Sequence, residues 1–252
     1  MVTRFGTVIF DCDSTLSAVE GIDRLSRDHR EEVERLTEAS MRGELKLEEV
    51  YARRLELVRP TRREVDALAA EYVARIVPDA REVVAALQRH GVAVRILSGG
   101  LLPAVLVLAA ELRIAPEHVG AVAVHFDEGG AYAGFDAASP LARAGGKEEI
   151  VRSWLPGLPG PIMMVGDGAT DLEVAPVVDL FVAFAGVEDR PAVTTAADVV
   201  VRSPSLAPVL PLALGREPGD DDAAATCRRG LALADAGAVT LRSGVDILDG
   251  WG

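Results

Sequence analysis

Cysteine is scarce in this chain of 252 residues: only Cys12 and Cys227 occur, too few and too far apart in sequence for a disulfide framework or a zinc site. Long apolar runs are missing too. The longest, Leu101 to Ala110, is stopped by Glu111, well short of the roughly 20 residues a membrane-spanning helix needs. The first residues, with Arg4 and then an apolar segment, contain no signal-peptide core, so a cytoplasmic location is expected. Basic residues are outnumbered, 26 Lys and Arg against 39 Asp and Glu, for a formal net charge of −13. That balance argues against a nucleic-acid or anionic-membrane partner, whose phosphates are neutralised by clustered cations. An anionic small molecule would have to be held locally, by a metal ion and a few placed cations.

What is present is apolar and aliphatic. Hydrophobic residues make up 49% of the chain, and Leu, Val and Ala dominate, as in an α/β protein with one large domain or a core with a smaller insert. The run Val8-Ile9-Phe10 reads as a buried strand, and it ends abruptly in Asp11-Cys12-Asp13-Ser14-Thr15. In open α/β sheets, ligand-binding groups sit just past the carboxyl ends of the strands, which is where Asp11 and Asp13 fall. Taken alone, Asp13-Ser14-Thr15 also reads as a turn and a helix N-cap.

After this strand, residues Ala18 to about Tyr72 are charged and helix-favouring, and read as a helical insert. Within it Leu47, Val50, Tyr51, Leu55 and Val58 share one apolar helix face. Arg54, seven residues beyond Leu47, projects from that same face. An inward arginine either binds something or covers apolar surface with its stem while its head reaches water. Pro78-Asp79 opens a helix over Ala80 to His90, and Val92 to Leu97 forms a strand that delivers Ser98-Gly99-Gly100 as a turn before a helix from Leu101 to Leu112. A hydroxyl and two glycines there would let backbone N–H groups approach an anion.

Val119 to Phe126 and Ala131 to Phe135 flank Asp127-Glu128-Gly129-Gly130 as a β-hairpin. Lys147 lies near the start of a short helix from Glu148 to Trp154, an unfavourable end for a cation unless an anion is close. Pro161 to Val165 is a third buried strand, ending in Gly166-Asp167-Gly168-Ala169-Thr170-Asp171. Thr170 and Glu173 have the spacing of a capping box, which leaves Asp167 unexplained. Four carboxylates, Asp11, Asp13, Asp167 and Asp171, in one crevice would repel unless a divalent cation joined them, and hard oxygen ligands suit magnesium. Leu180 to Phe184 and Asp198 to Val201 add two strands, giving the alternation of a mostly parallel sheet. Past Gly215 a polar linker precedes a short helix over Cys227 to Ala236, and no role is assigned beyond it.

Together, Phe10 to Thr15, Ser98-Gly99-Gly100, Lys147 and Gly166 to Asp171 resemble the four ordered motifs of the haloacid dehalogenase superfamily of phosphotransferases. Glu20 in Val19-Glu20-Gly21-Ile22-Asp23, and Met41-x-Gly43 with Arg54 thirteen residues after Met41, bring the chain closest to its phosphoserine phosphatase family. The resemblance covers roughly Thr7 to Val201, and it departs at Leu47, where that family usually has phenylalanine beside the substrate.

The resemblance implies a Rossmann-like α/β core (1–17 and 76–215), a helical cap inserted after the first strand (18–75) and an extension (216–252) without a counterpart. It implies a cytoplasmic enzyme of serine biosynthesis that hydrolyses O-phosphoserine through a phosphoaspartyl intermediate. Asp11 would be the nucleophile and Asp13 the acid and base, with Lys147 at the phosphoryl group. Mg2+ would be held by Asp11, Asp13 through its carbonyl, and Asp167, with Asp171 in the outer shell. Glu20, Met41, Leu47, Arg54, Ser98, Gly99, Gly100 and Thr170 would contact substrate. A homodimer stays open, as do a related phosphatase or phosphotransferase for another small phosphorylated amine or amino acid and a catalytically silent phosphate-ligand sensor.

Overall fold

The structure, a computed structural model, describes residues 4–26, 29–41, 45–215 and 221–242. Its centre is strand β1 (Thr7–Phe10), whose four residues are all buried because both faces of the strand are covered. β1 pairs in parallel with β2 (Ala93–Leu101) on one side and with β6 (Ile162–Gly166) on the other. β3 (Val119–Val122) joins β2, while β7 (Leu180–Phe184) and β8 (Val199–Val201) continue beyond β6, all parallel. β9 (Val239–Leu241) closes the sheet antiparallel to β8, giving the order β3-β2-β1-β6-β7-β8-β9. This α/β, mostly parallel sheet agrees with the expected fold class. Its consequence is that the carboxyl ends of β1, β2 and β6 open on one rim.

Among the described residues, four helices stand between β1 and α5 (Ala80–Arg89), the helix that leads into β2: α1 (Gly21–Leu25), α2 (Arg30–Met41), α3 (Leu47–Val58) and α4 (Arg62–Ala74). On α3, Val50, Tyr51 and Leu55 are buried as the spacing predicts; full burial of Leu55 contributes about 2 kcal/mol. α4 begins at a true capping box, Thr61 with Glu64, and packs on α6 (Leu102–Glu111). A separate hairpin, β4 (Val124–Phe126) with β5 (Tyr132–Phe135), meets these helices. Arg59 lies 5.3 Å above the Tyr132 ring, Arg62 lies 4.8 Å above Phe126, and the Tyr51 and Phe135 rings stand 5.5 Å apart.

Several local expectations are corrected. The run Val119 to Phe126 is two strands, because Val119–Val122 pairs with β2 and only Val124–Phe126 belongs to the hairpin. Ser98-Gly99-Gly100 is extended chain within β2, which carries on through a register shift to pair Leu101 with Val122. Asp79 precedes α5 (Ala80–Arg89) but does not cap it; its φ is 63°, and its carboxylate accepts from Ser205 Oγ at 2.6 Å and pairs with Arg229. Thr170 lies inside α8 (Ala169–Leu172), not at its cap; Asp171 accepts from the Gly168 N–H, and Glu173 accepts from the Gly145 N–H.

The remaining helices are α7 (Gly146–Trp154), α9 (Pro191–Thr194), α10 (Val209–Leu214) and α11 (Asp221–Leu233). The C-terminal helix is thus longer and earlier than its sequence pattern implied, and it packs on α5 and α10. Among the described residues, no helix is long and apolar enough to cross a membrane.

Candidate active site

The loop after β1 turns sharply. The N–H groups of Leu16 and Ser17 both donate to the Cys12 carbonyl at 3.0 Å, and Ser14 takes a left-handed conformation with φ 51°. Asp11 is held in the ladder by its N–H to the Val165 carbonyl at 2.9 Å, so its side chain projects at the rim beside the end of β6. Asp167 follows β6 directly. Asp171 reaches back from α8 over Gly166, where a β-carbon would collide with its carboxyl group; the glycine is needed for that approach. Oxygens of Asp11, Asp167 and Asp171, all buried, lie within 4.8 Å of one another.

Lys147 answers the question raised by its place at the start of α7. Its Nζ donates to Asp11 Oδ1 at 2.7 Å and to Asp171 Oδ1 at 2.6 Å, and it is buried with both. Burial works against its charge, but the two carboxylates outweigh that and raise its pKa above the ordinary lysine value. Asp11 is raised from 3.8 to about 8, first by burial and then by Asp171, against the pull of Lys147. Five carboxyl groups, Asp11, Asp13, Glu20, Asp167 and Asp171, face two cations, Lys147 and Arg190, in the crevice, so acidic groups are in excess. A hard divalent cation fits such an all-oxygen donor set, which could hold one.

Asp13 stands apart from that trio. Its Oδ1 accepts from the Tyr72 hydroxyl at 2.5 Å and its Oδ2 from the Gly21 N–H at 2.8 Å. Its pKa is raised to about 6; burial is the main cause and Glu20 the next, with the Tyr72 and Gly21 hydrogen bonds pulling the other way. Desolvation thus does more than the neighbouring carboxylate to favour its protonated form.

Asp11, Asp13, Glu20, Lys147, Asp167 and Asp171 line a cavity of about 210 Å³, together with Ser98, Gly99, Gly100 and Thr170. The Ser98 hydroxyl accepts from the Gly100 N–H at 2.9 Å. An adjoining cavity of about 220 Å³ shares Asp13, Glu20, Gly99, Lys147 and Thr170, and is walled by Leu47, Tyr51 and Arg54 from α3. Tyr51 donates its hydroxyl to the Gly99 carbonyl at 2.9 Å. Arg54 does face inward. It is ion-paired with Asp23, its Nε is buried without a hydrogen-bond partner, and burial lowers its pKa. Met41 ends α2, but its side chain, like Gly43, lies outside the described residues.

Residues 5–179 match the family model described as haloacid dehalogenase-like hydrolase. A phosphoserine phosphatase of Mus musculus is 39% identical over 182 residues, covering 71% of this chain and 81% of that protein. The chain belongs to the phosphoserine phosphatase family of haloacid dehalogenase-like hydrolases. A chloroplastic family member from Arabidopsis thaliana is 35% identical over 199 residues, 77% of this chain and 68% of that one. The crystal structure of a phosphoserine phosphohydrolase-like protein from Francisella tularensis superposes with a TM-score of 0.69 at 23% identity, covering 78% of this chain and 95% of the other, and so shares the fold.

Two residues of the site escaped the sequence reading. Arg190, in the loop between β7 and α9, pairs with Asp167 and donates to Glu20 Oε1 at 2.8 Å, where Ser14 Oγ also donates at 2.7 Å. A loop leaving the carboxyl end of a strand beside β6 was the available signal. Tyr72 was taken only as the end of the insert.

Proposed function

We propose that this chain is a magnesium-dependent phosphatase that hydrolyses O-phosphoserine through a phosphoaspartyl intermediate, in the cytoplasm and in serine biosynthesis. The observation that carries the reading is a pair of adjoining cavities that share Asp13, Glu20 and Lys147, one lined by the ammonium-bound Asp11 and the other by Arg54. The metal would be held by the Asp11 and Asp167 carboxylates and the Asp13 carbonyl, with Asp171 behind them; bound there, it would neutralise charge on the phosphoryl oxygens.

In the first half-reaction an Asp11 carboxylate oxygen bonds to phosphorus as the phosphorus–oxygen bond to the serine side chain breaks. Asp13, which ordinary carboxyl acidity would leave fully ionised at neutral pH but whose pKa is pushed up to about 6, gives its proton to the departing oxygen. In the second half a water attacks phosphorus, its proton goes to Asp13, and Asp11 is released. Lys147 keeps Asp11 in place and, with the Ser98 hydroxyl and the Gly99 backbone, stabilises the phosphoryl oxygens.

The helices over 18–75 act as a cap on the core of 1–17 and 76–215, to whose sheet the segment after 216 adds β9. In the cap, Arg54 takes the substrate carboxylate from Asp23, and Glu20 accepts from the ammonium. Leu47, Tyr51 and Thr170 shape the pocket between them.

The test is inorganic phosphate release, with and without magnesium, from phosphoserine, phosphothreonine, phosphoethanolamine and a sugar phosphate. Phosphoserine should be strongly preferred, chelation should abolish turnover, and Asp11→Asn should lose several powers of ten. A faster rate on phosphoethanolamine would move the substrate to another small phosphorylated amine; undiminished turnover by Asp11→Asn would remove the phosphoaspartyl step.

A further inference from the structure

Tyr72 is fully buried on α4, yet its hydroxyl leaves the apolar core and donates to Asp13 Oδ1 at 2.5 Å. Its placement is specific. Gly21 carries no side chain where that hydroxyl oxygen sits, since a β-carbon there would collide with it, and a β-carbon on Gly100 would lie 3.3 Å from the same atom. Ser17 Oγ donates to the Tyr72 main-chain carbonyl at 3.0 Å, tying this point of α4 to the loop after β1. The second Asp13 oxygen accepts from the Gly21 N–H, at the start of α1, at 2.8 Å. Both donors thus come from the helices inserted between β1 and β2, and neither from the sheet that carries Asp13.

We propose that Tyr72 is a positioning residue for Asp13: together with the Gly21 N–H it fixes the rotation of the Asp13 carboxyl so that its proton points at the leaving oxygen, and does so only while α1 and α4 are seated on the core. The terminal torsion of an aspartate is otherwise broad, so an unpinned carboxyl would spend much of its time misdirected. Tyr72 transfers no proton in this scheme. As the bond from phosphorus to the substrate oxygen breaks, its electron pair stays on that oxygen, which takes the proton from Asp13; Tyr72 and Gly21 hold the carboxylate that remains. The inference rests on the reading of Asp13 as the proton donor.

The experiment compares kcat/KM, which reports formation of the phosphoenzyme alone, for phosphoserine and for acetyl phosphate. Serine leaves as a strongly basic alkoxide unless it is protonated, whereas acetate leaves unaided. Asp13→Asn is the reference and should lose activity on phosphoserine far more than on acetyl phosphate. Tyr72→Phe keeps the buried ring and so the packing. It should lose roughly 10- to 100-fold on phosphoserine, mostly in kcat, and less than about 2-fold on acetyl phosphate. If Asp13→Asn is selective and Tyr72→Phe reduces both substrates equally, or neither, the positioning role is overturned and the residue is structural. If Asp13→Asn itself lowers both equally, the proton-donor reading falls and the role of Tyr72 falls with it.

Discussion

Lys147 offers the most direct measure of how the charge in the crevice is balanced. Lys147→Met keeps most of the stem and removes the ammonium, leaving Asp11 and Asp171, with side chains 9% and 1% exposed, facing each other without their shared cation. Breaking a buried pair by removing one partner costs about 3–5 kcal/mol, because the other charge stays buried. For a protein of this size that corresponds to a fall of roughly 6–20 °C in Tm. Burial lowers the lysine pKa, but Asp11 and Asp171 outweigh it and lift it above 10.5, so the contribution is present in full at neutral pH and is lost as pH rises from about 10.5 through that raised value.

Thermal unfolding in chelator is the assay. Above about pH 8, where Asp11 is ionised, adding Asp11→Asn to Lys147→Met removes one of the two stranded carboxylates and should recover more than half of the loss. Magnesium should also raise Tm more in Lys147→Met than in the wild type, the ceiling being about 2.7 kcal/mol at a hundredfold excess over Kd. A Lys147→Met protein melting within about 2 °C of wild type, or a double variant no more stable than the single one, would refute the reasoning.

Asp11 has the same direction of pH dependence in a lower window. Burial first, then Asp171, raises it from 3.8 to about 8, so the folded protein holds a proton that the unfolded chain has released, and stability falls as pH rises between those values. In chelator, Asp11→Asn should melt above the wild type by a margin that widens from about pH 5 to about pH 8; a constant margin would contradict this. For Arg54→Ala, kcat/KM on phosphoserine should fall by about 2–4 kcal/mol, while phosphoethanolamine, which lacks the carboxylate, should be handled poorly by both proteins and lose little further. Equal losses on the two compounds in a folded variant would dismiss the carboxylate clamp.

The parts of the site legible in the sequence were those fixed by local pattern. Val8-Ile9-Phe10 announces a strand covered on both faces, and its end places Asp11 and Asp13 on the rim without any knowledge of the sheet order. Arg54 could be turned inward by counting from Leu47, because a helix carries its own ruler. Its pairing with Asp23 could not, since that depends on how α1 lies against α3. Ser98-Gly99-Gly100 misled because glycines ordinarily mark a turn, whereas here pairing with β3 through an irregular register keeps the chain extended. Arg190 and Tyr72 are the informative omissions. Each is an ordinary residue in its own segment and acquires a role only when a distant element, β6 for one and the loop after β1 for the other, arrives beside it.

β9 has a meaning separate from the chemistry. Without it β8 would be the last strand of the sheet and would present a row of unpaired amide and carbonyl groups, the template on which chains stack edge to edge. The antiparallel pairing of Val199, Val200 and Val201 with Leu241, Thr240 and Val239 covers that row with a strand of only three residues, flanked by the Arg242 and Asp198 ion pair. The substitute edge is short and charged, as protected edges are. A segment with no counterpart in the motif pattern thus covers three consecutive valines that would otherwise form the sheet's outermost strand.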